Sequence, residues 1–140
     1  MPIFKNTVYR ETKGSGVIVL QGLGEVKLSP PPEFGGKEDA LSPEEMFVGA
    51  VNGCLLLTFS HFAKKQSVEV VSYHSEAEGE VEKGKEGFRF TKISVQAKVL
   101  VAKQELVAKV EKISHLAEQF CLISQSVACP VQYQVIVQVQ

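Results

Sequence analysis

The chain has 140 residues, 44% of them hydrophobic, and a formal net charge of −1 with an isoelectric point near 6.3. Because a chain of this size buries roughly 68% of its unfolded surface, the composition predicts one domain, 1–140, with its own core. The 13 lysines and two arginines are scattered along the chain, so there is no basic stripe and we expect no nucleic-acid partner.

The N-terminal segment and the cysteines indicate a cytoplasmic protein. Residues 1–10 carry no long apolar stretch behind a basic start, and no apolar run approaches the ~20 residues of a membrane span, so we expect neither export nor membrane insertion. Three cysteines, Cys54, Cys121 and Cys129, are an odd number in a chain without an export signal. A structural disulfide framework is therefore not expected, which leaves buried thiols or redox thiols.

Three short strands are predicted before the first helix. Runs rich in β-branched and aromatic residues predict these strands over 3–10, 17–20 and 25–28. A turn at Gly14-Ser15-Gly16 joins the first two into a hairpin. Pro30-Pro31-Pro32 then ends regular pairing, because proline cannot donate to a ladder, and a loop follows over 33–41.

The stretch from Ser42 to Lys65 predicts a long, buried helix. Ser42 is a good N-cap, Pro43 suits the first turn, and Glu44 favours the positive end of the helix dipole. Apolar residues then cover nearly every face of the helix: Met46, Phe47, Val48, Val51, Leu55, Leu56, Leu57, Phe59 and Phe62. Such a helix must be covered by protein all round, whether by sheets, by a second helix or by a partner subunit.

The second half of the chain predicts two strands, a helix and a final strand. The two strands form a hairpin over 68–82 and 88–101. Apolar alternation in the second of them shifts phase near Thr91-Lys92, which indicates a β-bulge. Apolar residues recur every three or four positions over 103–120, as in an amphipathic helix, and alternate over 131–140, as in a strand with one buried face. This order of elements favours an α+β fold with mainly antiparallel sheet.

Cys54 lies near the middle of the long helix, among small residues. Gly49 and Gly53 each cost a helix ~1 kcal/mol relative to alanine, so their presence indicates a close approach by another group. That group could be another helix, a substrate or a second sulfur. Taken alone, each cysteine is also compatible with a packing role, because free cysteine is among the most buried residue types.

The segment LGEVKLSPPPEFGGKEDALSPEEMFVGAVNGCL resembles the osmotically inducible protein C and organic hydroperoxide resistance family (OsmC/Ohr). The hallmark of that family is a Ser/Asn-Pro-Glu turn ten residues before a helical cysteine, which places Glu44 and Cys54 on the pattern. The resemblance follows the order of elements along nearly the whole chain and is sharpest over 26–55.

The second cysteine of the family lies at the end of the second long helix, often three residues before a serine. Cys121 with Ser124 fits this position. Cys129 is the alternative, because it begins a Cys-Pro-Val sequence of the kind that many members carry at their second cysteine. We favour Cys121, because Cys129 opens the final strand, where the family cysteine does not lie.

The resemblance implies an OsmC-like fold, with mainly antiparallel sheets around a long buried central helix and a second amphipathic helix, in an intertwined homodimer. It also implies a thiol-dependent peroxidase. Cys54 would reduce an organic hydroperoxide and become a sulfenic acid, Cys121 would condense with it to a disulfide, and an external dithiol would restore both thiols. The alternative is a non-catalytic dimer of the same fold that binds a small apolar ligand, with the cysteines as packing residues. We expect no cofactor, and no metal, because no cysteines and histidines have zinc-ligand spacing.

The peroxidase hypothesis requires a positive group near Cys54, because a thiolate attacks the peroxide and burial raises the pKa of a thiol. The family uses an arginine held by the glutamate of the Ser-Pro-Glu turn, and the candidates here are Arg10 and Lys13, which are otherwise solvated residues at a strand end. Glu44 lies roughly 15 Å before Cys54 along one helix, so it would act at the other subunit's thiol, act through an arginine, or only favour the helix dipole. His61 lies ~10 Å beyond Cys54, so we expect no Cys-His dyad.

Overall fold

The computed structural model describes residues 1–10 and 16–140 and divides into two compact units, Met1–Phe47 and Val48–Gln140. The turn predicted at Gly14-Ser15-Gly16 therefore falls mostly outside the described residues, as does Lys13. Each unit has a three-stranded sheet, and helices and strands follow one another in the predicted α+β order.

The N-terminal unit is built on an antiparallel sheet in the order β1-β2-β3. Its strands are β1 (Thr7–Arg10), β2 (Gly16–Leu20) and β3 (Gly24–Leu28). The first strand begins at Thr7 instead of the predicted Ile3, because its pairing with β2 stops at Thr7. Ile3 and Phe4 consequently remain exposed, whereas Ile18 in β2 is buried.

The loop after β3 is held by backbone and side-chain hydrogen bonds. A 3₁₀ turn over Pro32–Phe34 ends at Gly35, whose φ of 84° lies in the left-handed region that favours glycine. Ser29 Oγ accepts a hydrogen bond from the Lys37 backbone N–H at 2.9 Å. These contacts confirm that the proline run ends the sheet and leads into a turn.

The long helix α1 runs from Pro43 to Lys65. Ser42 caps it as predicted, because its Oγ accepts a hydrogen bond from the Glu45 backbone N–H at 3.0 Å. Its buried residues recur every four positions: Val51, Leu55, Phe59 and Ala63. Another face stays open within the described chain, since Leu57 is 69% exposed. A single chain therefore does not cover this helix all round, which leaves the partner subunit among the covers expected from the sequence.

By length and composition alone, α1 could also cross a membrane. It has 23 residues and a mean hydropathy of 1.5 over its apolar window, in contrast to the expectation that no run approaches a span. Core helices of soluble proteins meet the same criterion, so one such helix is weak evidence for a membrane protein.

The C-terminal unit has its own sheet in the order β4-β5-β6. Its strands are β4 (Ser72–Gly84), β5 (Gly87–Val101) and β6 (Val131–Val139). The pair of β4 and β5 is an antiparallel hairpin, whereas β5 and β6 are parallel. The first of these strands begins later than the predicted Val68, because the Val68 backbone N–H donates to the Ala63 carbonyl oxygen at the end of α1.

A β-bulge interrupts the hairpin of β4 and β5. Glu80 pairs with Lys92. The next residue, Val81, pairs with Phe90, so Thr91 has no register partner in β4. This extra residue accounts for the phase shift in apolar alternation and confirms the bulge predicted near Thr91-Lys92.

The predicted amphipathic helix is divided into a 3₁₀ turn, Gln104–Leu106, and α2, Val107–Phe120. After Cys121 comes a short helix, α3 (Leu122–Ser126), which the sequence pattern did not indicate. The core of this unit joins α1, α2 and β5, and consists of Phe59, Ala63, Val68, Val99, Val101, Val110, Ile113 and Ala117. Phe120, the last apolar residue of the predicted helix, lies in the last turn of α2 and is 56% exposed.

Candidate functional site

Two of the three cysteines meet in the C-terminal unit. Cys54 is half-buried on α1, and Cys121 is fully buried between the end of α2 and the start of α3. Their side chains are within hydrogen-bonding reach of each other, and both are free thiols. The backbone at Cys121 is extended, with φ −69° and ψ 111°, so the chain changes direction there. This arrangement places two thiols where they could exchange a proton or form a disulfide.

Thr58 lies one helical turn after Cys54 and contacts it twice. Its hydroxyl donates to the Cys54 carbonyl oxygen, with 2.7 Å between the two oxygens. The same Oγ1 lies 3.8 Å from the Cys54 Sγ. Positions four apart share one face of a helix, so the sequence spacing could have indicated this contact.

The pKa of the Cys54 thiol is lowered, although several effects act on it in opposite directions. Burial has the largest single effect and raises the pKa. Hydrogen bonds from the Ile123 backbone N–H, the Cys121 thiol, the Thr58 hydroxyl and the Leu122 backbone N–H together outweigh it. All of these donors are uncharged. The thiolate is therefore stabilised by neutral donors.

The pKa of the Cys121 thiol moves the other way. Burial is the main cause and raises it, the Ser124 hydroxyl and backbone N–H lower it, and the hydrogen bond and charge of Cys54 raise it further. Ser124 also donates from its hydroxyl to the Cys121 carbonyl oxygen at 3.2 Å. Of the two thiols, Cys54 therefore loses its proton first, and Cys121 retains its proton as the donor.

A pair of tyrosines lies within electrostatic reach of Cys121. The hydroxyl oxygens of Tyr73 on β4 and Tyr133 on β6 are 2.7 Å apart and meet across the small Ala97 of β5. Burial raises the pKa of both phenols, and a charge on Cys121 would raise them further, so these tyrosines remain neutral. A neutral phenol pair beside Cys121 adds no negative charge that would disfavour a thiolate nearby.

The network continues to α1 through a serine and an asparagine. Ser75 lies beside the Tyr73 hydroxyl and donates to the Asn52 Oδ1 at 2.7 Å. Asn52 is two residues before Cys54, so this bond fixes the helix against β4. Asn52 was not predicted from the sequence to take part in the site, and inward-facing polar positions in β4 and β6 were the signal that could have indicated the network.

The third cysteine, Cys129, lies between α3 and β6. It is buried and lines a pocket of about 290 Å³ together with Leu55 and Ser124. It is not among the groups that act on the pKa of Cys54 or Cys121 within the described chain. The structure therefore pairs Cys54 with Cys121, the cysteine that the sequence analysis favoured, while its role in resolution stays a prediction.

The remaining candidate residues lie mostly in the N-terminal unit. Arg10 ends β1 and is exposed, and Lys13 lies outside the described residues. Glu44 lies in the first turn of α1, and its Oε1 is buried with no hydrogen-bond partner in the described part of the chain. His61 is exposed and packs its ring against Phe62 at 5.1 Å. The predicted roles of Arg10 and Glu44 at a thiol stay predictions.

Comparison with known proteins identifies a matching family and several proteins of similar sequence or structure. A family described as OsmC-like protein matches residues 36–135. The uncharacterized protein YmaD of Bacillus subtilis strain 168 is 30% identical over 110 residues, which are 76% of this chain and 73% of that protein. An OsmC-like protein of unknown function from Vibrio cholerae has a similar structure, with a TM-score of 0.87, 26% identity and coverage of 97% of this chain and 100% of the other. The organic hydroperoxide resistance protein OhrB of Bacillus subtilis shares the fold, with a TM-score of 0.67 and 19% identity. The match covers 96% of this chain and 98% of OhrB.

Proposed function

Because the chain belongs to the OsmC-like family and has its fold, we propose that it is a thiol-dependent peroxidase that reduces organic hydroperoxides to alcohols. The observation that carries the proposal is the contact between Cys54 and Cys121, in which Cys54 has the lowered pKa. Two thiols in contact, with opposite pKa shifts, suit a nucleophile and a resolving partner. The name of the structurally similar OhrB supports the choice of an organic hydroperoxide as substrate.

The reaction balances with these two residues and an external reductant. The Cys54 thiolate attacks one peroxide oxygen, the O–O bond breaks, and the departing alkoxide takes a proton to become the alcohol. Cys54 is left as a sulfenic acid. The Cys121 sulfur then attacks the Cys54 sulfur, and the hydroxide that leaves takes the Cys121 proton to form water. An external dithiol supplies two electrons and restores both thiols by exchange.

The difference in exposure between the two thiols supports the same proposed roles as the directions of their pKa shifts. Cys54 is half-buried and can be approached from outside, whereas Cys121 is fully buried in the reduced protein. A peroxide therefore meets Cys54 first. Cys121 needs only to reach the neighbouring sulfur, so its raised pKa does not hinder its part in the reaction.

Treatment of the reduced protein with tert-butyl hydroperoxide tests this assignment. We expect peptide mapping by mass spectrometry to find a disulfide between Cys54 and Cys121, and the same disulfide in a Cys129→Ser variant, because Cys54 and Cys121 interact with each other and Cys129 is not among the main groups that shift the pKa of either thiol. A disulfide to Cys129 would contradict the assignment of the resolving residue. Failure to form any disulfide would contradict the peroxidase and favour the non-catalytic binder of a small apolar ligand.

We also propose that the protein acts as a cytoplasmic homodimer in which α1 is partly covered by a second copy. The open face of α1, with Leu57 69% exposed, supports this, because only 22% of the apolar window of α1 is buried within one chain. Sedimentation equilibrium should give about twice the 15.3 kDa chain mass. A monomer mass at every concentration would overturn the proposal.

A further inference from the structure

We propose that Thr58 is a catalytic residue of the thiol site, whose hydroxyl hydrogen turns from the Cys54 carbonyl oxygen to the Cys54 sulfur when the thiolate forms. This inference rests on the proposed function, since it concerns how the same nucleophile is activated. It assigns to a neutral side chain part of the work for which the sequence analysis sought an arginine or a lysine.

The geometry allows both arrangements without moving a heavy atom. Thr58 Oγ1 is 2.7 Å from the Cys54 carbonyl oxygen and 3.8 Å from the Cys54 Sγ. A hydroxyl has one hydrogen and two lone pairs, so while Cys54 is a thiol its S–H can point to Oγ1 and the Thr58 hydrogen to the carbonyl. A thiolate can only accept. Rotation of the hydroxyl hydrogen about the Cβ–Oγ1 bond then turns the donor to the sulfur.

The other donors to this sulfur show why the contribution of Thr58 is needed. They are the backbone N–H groups of Leu122 and Ile123 and the thiol of Cys121, all of which come from the segment that follows α2. Thr58 is the donor that α1 itself provides, on the same face as Cys54. Its position therefore depends on α1 and not on the segment that carries Cys121. Hydrogen bonds to a charged sulfur are stronger than bonds to a neutral one, so this donor favours the thiolate selectively.

A threonine that donates to the carbonyl four residues earlier is also an ordinary feature of helices. Such a bond alone would affect the stability and bending of α1 but not the proton affinity of the Cys54 sulfur. The decisive measurement is therefore the pKa of Cys54. The titratable groups facing the thiol pair from the packed elements are Cys121, Tyr73 on β4 and Tyr133 on β6, so the measurement needs a chain in which Cys54 is the sole thiol.

The experiment compares threonine variants in a Cys121→Ser/Cys129→Ser background. We expect Thr58→Val, which keeps the shape but loses the hydroxyl, to raise the pKa of Cys54 by about one unit and to slow iodoacetamide alkylation at neutral pH by about tenfold. Thr58→Ser should restore both values. Thr91→Val is the matched control, because Thr91 also donates to a backbone carbonyl, that of Glu80, but lies in the bulge of β5.

Two results would overturn the proposal: a Thr58→Val protein with the wild-type thiol pKa, or a Thr58→Ser protein as impaired as Thr58→Val. If Thr58→Val unfolds, Thr58→Ala gives the same readout with a residue that favours helix. Alkylation needs no peroxide, so the outcomes separate the two proposals. A wild-type protein inert to hydroperoxide whose thiol pKa still depends on Thr58 would refute the peroxidase and leave the donor role standing.

Discussion

We expect Cys54→Ser to lower kcat/KM for tert-butyl hydroperoxide by on the order of 10³-fold or more, with the hydroperoxide consumed in the presence of excess dithiol as the measurement. The loss is large because a serine hydroxyl at this position has a far higher pKa than a thiol and cannot be oxidised to a sulfenic acid. The neutral hydrogen-bond donors around residue 54 would remain, but the serine would give them no anion to stabilise.

The matched control for this variant is Cys129→Ser, which also replaces a thiol by a hydroxyl, at the cysteine that is not among the main groups shifting the pKa of Cys54 or Cys121. It should keep the wild-type rate. The rate of Cys121→Ser should lie between those of Cys54→Ser and Cys129→Ser. An external thiol can still reduce the Cys54 sulfenic acid in this variant, but less efficiently than a neighbouring sulfur does. Full activity in Cys54→Ser, or its loss in Cys129→Ser, would show that the nucleophile has been misassigned.

We expect Phe59→Ala to lower the free energy of unfolding by about 3–5 kcal/mol, to be checked by urea denaturation followed by circular dichroism. Phe59 is 1% exposed, belongs to the core of the C-terminal unit, and packs its ring against Tyr73 with 5.1 Å between centroids. Its removal leaves a cavity that the surrounding strands and helices cannot fill completely.

The same change at an exposed position provides the control. Phe4→Ala removes a ring that is 88% exposed, so its unfolding free energy should stay within about 0.5 kcal/mol of wild type. Both variants are compared at one protein concentration, because association would make stability depend on concentration. Equal losses in the two variants would mean that the ring of Phe59 does not pack in a core.

Sequence patterns predicted most elements of the fold, and their failures have definite physical causes. The bulge near Thr91 was visible because an extra residue shifts the apolar alternation by one position. The parallel pairing of β6 with β5 was not visible, since alternation is the same in parallel and antiparallel strands. The short helix α3 also escaped prediction, because its five residues give too little periodicity to count.

At the site, the pairing of Cys54 with Cys121 followed from a family resemblance in the order of elements, not from spacing. The donors to Cys54 could be found only in part. Thr58 has a helical spacing that could have indicated it, but the backbone N–H groups of Leu122 and Ile123 leave no mark in residue types. Backbone groups act through the path of the chain, so only coordinates reveal them.

The parallel pairing of β5 and β6 has a geometric consequence for the thiols. Parallel strands run in the same direction, so the chain between them must return along the sheet, over roughly 30 Å for nine paired residues. The 14 residues of α2 cover about 21 Å of that return, and Cys121 follows directly at its end. Removing one residue from α2 would shorten the helix by about 1.5 Å and rotate Cys121 and the chain after it by about 100° about the helix axis. The length of this crossover thus sets which way the second sulfur points.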